Sequence, residues 1–195
     1  MGETMTSREE LYNAIRKIAW GYVLIHLHIN LGTWDILPDW LGYIFIYQGI
    51  GILQEEEESA GLLKPLGIGL TVWSVIRWLM TAVGISTEYD FMLRVIGLIV
   101  SVISMYFHFQ LLTNVADLAA SYGCPQSENL LRLRTIQVVM TAITVVLGYI
   151  PNVESLEWLL LLIVVVTLVV MLCLCAQLFL LSKSLLKATV EDGED

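Results

Sequence analysis

LLLLIVVVTLVVMLCL, residues 159–174, is the stretch on which the reading of this chain turns. It holds no charge, and its only hydroxyl is that of Thr167. A water-soluble chain of 195 residues would have to wrap this run in a core it hardly has the residues to build. The composition points the same way: 57% of residues are hydrophobic, 15% are charged, and mean hydropathy is +0.74. So few charges cannot cover a water-facing surface of this size, and the run reads as a helix crossing a bilayer.

The two flanks of this run differ. Glu154 and Glu157 precede it, whereas Lys183 and Lys187 follow it. The same asymmetry recurs through the chain. Arg8, Arg16 and Lys17 precede the first apolar run, Lys64 lies between the second and third, and Arg132 and Arg134 lie between the fourth and fifth. The alternate connections, around 32–38, 84–90 and 150–157, carry Asp35, Glu88, Asp90, Glu154 and Glu157 but no Lys or Arg. Alternation of this kind is the positive-inside pattern, and it predicts an all-α polytopic bundle of six spans with both termini in the cytoplasm. The expected spans are 18–34, 39–54, 66–84, 91–113, 134–150 and 156–181, forming one domain in the cell membrane. The first two are short for a hydrocarbon layer of about 30 Å, so a re-entrant hairpin over 18–54 is the alternative, and it gives the same loop polarity.

Smaller features fit the same plan. Thr6/Glu9 and Ser7/Glu10 form overlapping capping boxes, and Leu11, Ile15, Ile18 and Tyr22 continue at helical spacing, so a short amphipathic lead-in is expected to run into the first span. Gly32-Thr33-Trp34-Asp35 does not resemble a signal-peptidase site, so that span is expected to stay as an anchor. Trp34, Trp40, Tyr89, Tyr149 and Trp158 mark the outer boundary and Trp20 the inner one. Gly123-Cys124-Pro125 reads as a helix stop and a fresh start, carrying the fourth helix past the membrane to about Tyr122. Gly42 and Gly49 share a face of the second span and permit close helix approach, within the chain or to another copy. Residues 191–195 form an acidic tail.

Ionisable residues at membrane depth are where function is sought, because an arginine at mid-helix costs about 2.5–3.5 kcal/mol on the insertion scale. Arg77 is the sharpest candidate. It lies in the outer half of the third span and shares a face with Ser74 and Thr81, expected to look into the bundle. Arg94 begins the fourth span at the same level, with Glu88 and Asp90 as candidate partners in a structural ion pair. The first span carries Tyr22, His26 and Asn30 at i, i+4 spacing as a continuous polar stripe, with His28 on the other side. His108 is expected in the inner half of the fourth span, too deep to join His26 and His28 in a three-histidine metal centre. Gln110, Asn114, Asp117 and Ser121 form a stripe read as a solvated face or a contact with the next helix, and Gln137 reads as packing glue. Cys124, Cys173 and Cys175 make no disulfide framework; the last two lie about 200° apart around a helix and serve as small packing residues.

Several functions are excluded or left without support. The net charge of −9 and the lack of a basic stripe argue against nucleic acid. No Ser/His/Asp order, His-Glu-x-x-His, Cys-x-x-Cys, P-loop or dinucleotide fingerprint occurs, so no catalytic residue, metal or cofactor is expected.

Asn30-Leu31-Gly32-Thr33, then Leu37 to Tyr43 (LPDWLGY), then Gly49 resembles a pattern found in small uncharacterised multi-pass membrane proteins of Gram-positive bacteria. The resemblance covers the first quarter of the chain and implies a bacterial plasma membrane and about six spans. Those proteins have no assigned activity, so it carries over no functional residue.

Three hypotheses follow. The first is a transporter-like or sensor-like bundle that binds a small anionic or zwitterionic solute in an outer-facing pocket built from Arg77, His26, Asn30, Asp35 and Asp39. The second is a non-catalytic accessory protein that assembles with a membrane-protein partner, or with a second copy, through lipid-level faces and Glu55–Glu58; it calls for a sealed bundle with Arg77 ion-paired. The third is an enzyme acting on lipid, which ranks last because no acid/base pair is readable.

Overall fold

The computed structural model of the chain describes residues 2–26, 30–31, 34–35, 38–84, 91–150 and 157–191. The architecture is helical. α1 is Gly2–His26, α2 is Asp39–Glu56, α3 is Lys64–Ala82, α4 is Phe91–Ser121, α5 is Gln126–Leu147 and α6 is Glu157–Glu191. A short 3-10 helix, Glu58–Leu63, joins α2 to α3. Four stretches are long and apolar enough to cross a membrane: Glu58–Ala82, Phe91–Ser121, Gln126–Leu147 and Glu157–Leu186. They mark the chain as a membrane protein.

The segment expected to be the first span differs from that expectation. The helix ends at His26 rather than near residue 34, and a two-residue antiparallel ladder follows, β1 (Asn30–Leu31) with β2 (Trp34–Asp35), in the register Asn30↔Asp35 and Leu31↔Trp34. Asn30 therefore does not continue the helical stripe of Tyr22 and His26. At the helix end the His26 Nδ1–H donates to the Tyr22 carbonyl at 2.9 Å, so the ring itself satisfies one of the last turn's carbonyl groups.

α1 and α2 are not among the four membrane-length apolar stretches: α1 carries Glu9, Glu10, Arg16 and Lys17, and α2 carries Asp39, Glu55 and Glu56. Leu11, Ala14, Ile15, Ile18, Ala19, Tyr22 and Ile25 of α1 are all buried, packed between α2 and α6. A helix enclosed by its neighbours needs no apolar surface for lipid. Its contact with α2 is unusually close. A Cβ placed on Gly42 would lie 2.6 Å from the Gly21 carbonyl oxygen, and one placed on Gly21 would lie 2.7 Å from that of Gly42. Gly49 faces Ala14 and Ile18 in the same way. The Gly42/Gly49 face is thus used within the chain, where only missing side chains let the two backbones touch.

The bundle is dense at one end and splayed at the other. Phe107 to Ala119 of α4, Met171 to Leu185 of α6, and Ala60 and Leu63 of the 3-10 helix form the dense end with α1 and α2. Asn114, almost fully buried there, hydrogen-bonds the Ser59 hydroxyl at 3.1 Å in either amide orientation, which ties the 3-10 helix to α4. Asn114 thus serves neither of the two uses foreseen for that stripe: it is buried, and it holds the preceding 3-10 helix rather than the next helix. Gly123, at φ +64°, stops α4 with the Cys124 N–H on the Ala119 carbonyl (2.8 Å) and its own N–H on Ala120 (3.0 Å), as the Gly-Cys-Pro sequence anticipates. Toward the other end α3 and α4 barely touch, while Ile76, Leu79, Ile99, Val102, Val146 and Leu161 are exposed, as a lipid-facing surface requires.

Candidate functional site

The splaying opens a cavity of about 870 Å³ between α2, α3, α4 and α5, reached from the splayed end. Asp39, in the first turn of α2, is placed by Pro38, whose extended backbone starts that helix. Ser74 and Arg77 come from the same face of α3, one turn apart, and both line the cavity. Thr81, on that face one turn further, is exposed and donates to the Arg77 carbonyl at 3.0 Å. Arg94, near the start of α4, closes the rim with Tyr149. Its guanidinium carbon lies 5.3 Å from the Tyr149 ring centre, and the Tyr149 hydroxyl donates to the Arg94 carbonyl at 2.9 Å. Among the described residues the charged lining is two arginines and one aspartate, a positive balance. Among the described residues no ion pair forms to Arg77 or Arg94.

The floor is a layer of polar side chains. The Tyr43 hydroxyl and Ser104 Oγ lie 3.2 Å apart, linking α2 to α4. His26 lines the cavity from α1 and Thr141 from α5. Beneath them a smaller space of about 110 Å³ shares His26, Tyr43, Ser104 and Thr141 with the main cavity and adds His108 and Gln137. His108 Nδ1 is 3.0 Å from the Tyr22 hydroxyl, and its ring centre is 6.1 Å from that of His26. Gln137 is only 6% exposed and its Oε1 has no hydrogen-bond partner. An unsatisfied buried oxygen costs about 1–3 kcal/mol, so it is a poor choice for packing alone. The whole forms a polar shaft, cationic at its mouth and neutral at its base.

Of the residues singled out from sequence, Arg77, His26 and Asp39 line one cavity, and Arg94 joins them there. Asn30 and Asp35 pair with each other in the β ladder, and their side chains lie outside the described residues. Glu88, Asp90 and His28 also lie outside them. The depth assigned to His108 is corrected: its ring lies beside that of His26, their centres 6.1 Å apart. Even so, the described residues gather no group of three or more His, Cys, Asp or Glu suited to a metal ion. Tyr43, Ser104, His108, Gln137 and Thr141 were not read as a site. A signal for them exists, since Gly97, Ser101, Ser104 and His108 recur at i, i+4, i+7 and i+11 on α4, and Gln137, Thr141, Thr144 and Gly148 do the same on α5. These are two small-or-polar stripes on otherwise apolar helices, and they face each other.

No protein-family model, curated protein or solved structure matches this chain.

Proposed function

We infer that the chain is a six-span protein of a bacterial plasma membrane, both termini cytoplasmic, which binds a small anionic or zwitterionic solute in its outward-facing polar cavity. The observation that carries this reading is the convergence of Arg77 and Arg94 on a roomy, open cavity with a hydrogen-bonding floor. Its volume of about 870 Å³ is within the range that small-molecule sites occupy. The dense end carries Arg8, Lys64 and Arg132, so the positive-inside rule turns it to the cytoplasm and turns the cavity outward. α1 and α2 form the first hairpin, whose connection includes the β ladder beside the cavity rim. The lipid bilayer is the solvent of the outer half.

An open cavity favours binding over the accessory-partner reading, which calls for a sealed bundle and an ion-paired Arg77. The catalytic reading gains nothing, since the floor offers no carboxylate pair. The test is Arg77→Leu in detergent-purified protein, with thermal shift recorded against inorganic phosphate, simple carboxylates and zwitterionic amino acids. The expected result is an anion-induced rise in the wild type that the variant loses while its ligand-free midpoint holds. Loss of the folded variant would assign Arg77 a structural role. Equal shifts in both proteins would remove Arg77 from the site.

A further inference from the structure

Next to the polar cavity lies one of opposite character. A crevice of about 320 Å³ runs between α1, α5 and α6, walled by Val23, Ile163, Val164, Leu168 and Met171. His26 and Thr144 belong to the walls of both cavities, so the two adjoin and those side chains are the wall they share. On its outer side the crevice is bounded by Val164 and Leu168, 62% and 53% exposed, at the lipid-facing surface of α6. A small water-soluble anion uses the first cavity and has no use for the second. A molecule with an acidic head and an alkyl chain uses both, and can enter sideways from the bilayer.

We propose that the ligand is a single-chain anionic amphiphile drawn from the bilayer, its headgroup held by Arg77 and Arg94 and its chain laid past His26 and Thr144 into the α1–α5–α6 crevice. The proposal rests on the anion-binding reading of the polar cavity and adds the chemistry of the tail. Charge complementarity fixes the head at the arginine rim. The tail follows from adjoining walls and from the apolar lining, and each methylene carried there from water raises affinity, relative to the aqueous ligand, about fourfold.

The probes are ethyl, butyl and hexyl phosphate, titrated calorimetrically into the full chain in nanodiscs of a zwitterionic lipid, with empty nanodiscs as the blank. The expected result is affinity that climbs about fourfold per methylene. Leu168→Trp, which fills the crevice, abolishes the climb and leaves ethyl phosphate binding unchanged. Val164→Phe does the same from a second position, and both sites are exposed enough to accept a larger side chain without disturbing the core. Hexyl phosphate binding no tighter than ethyl phosphate, or a climb that survives both fillings, overturns the amphiphile while leaving the anion cavity standing. Absence of binding by every member of the series overturns both.

Discussion

Gly42→Ala is the sharpest test of how α1 is held. The added methyl would lie 2.5 Å from Ile25 Cγ1, 2.6 Å from the Gly21 carbonyl oxygen and 3.1 Å from the Ile25 nitrogen. Two of those three atoms are backbone, so no rotamer change relieves the clash. Ordinary contact begins near 3.4 Å, and the helices must move apart by about 0.8 Å to reach it. A gap of that size forfeits a quarter to a half of each dispersion contact along the seam. Overpacking of this kind costs about 3 kcal/mol at the upper end of its usual range, offset by about 1 kcal/mol of helix propensity gained over glycine. The net expectation is a loss of about 2 kcal/mol. Gly69→Ala is the control, because a Cβ there meets nothing within 4 Å, and it should gain about 1 kcal/mol from propensity alone. Unfolding by SDS titration in mixed micelles, followed by tryptophan fluorescence, reads both. A Gly42→Ala protein as stable as the Gly69→Ala protein would refute the close α1–α2 seam.

Other outcomes follow from the same geometry. Gln137→Leu removes a buried oxygen that lacks a partner, so the same titration should show about 1–2 kcal/mol of added stability, while phosphate binding weakens. Tyr22→Phe takes away the hydroxyl beside His108 and should cost about 1–3 kcal/mol by stranding a buried imidazole nitrogen; no loss would mean that the ring finds another partner. Tyr149→Phe cuts the bond to the Arg94 carbonyl and should cost about 1 kcal/mol, with a weakened grip on anions in calorimetry. Cys124 is buried and burial pushes its thiol above the ordinary range, so maleimide should label it slowly at neutral pH and rapidly only after unfolding or at high pH; fast native labelling, seen by mass spectrometry, would contradict its placement.

What could be read from the residues alone was direction around a helix, and what could not was depth along it. The 3.6-residue period was enough to point Ser74 and Arg77 inward and to put Gly42 and Gly49 on one close-packing face. Gly123 carried its own backbone instruction, and α4 ends there. Depth failed at His108. α4 has 31 residues and spans about 46 Å, longer than the hydrocarbon layer, so counting from either end cannot say where His108 sits relative to His26. The sequence of α1 reads as a short amphipathic lead-in running into a span that reaches about residue 34, whereas the helix ends at His26. The burial of Leu11 to Ile25 is set by α2 and α6, which no local pattern names. Asn30 looked like the next rung of the Tyr22–His26 stripe because helical spacing was extended past the point where His26 ends the helix.

The packing of α1 against α6 has an outcome for how the protein is made. Of these six α-helices the innermost is synthesised before the rest, and one of the two walls that enclose it after the rest. Until Met171 to Leu185 have been synthesised, Tyr22 and its neighbours stay open to whatever the insertion machinery offers. Every nascent intermediate that lacks α6 therefore leaves α1 uncovered on that side, with these long-range contacts deferred until α6 is made. Truncation before residue 171 should give a product that degradation removes, even though five of the six helices are already complete.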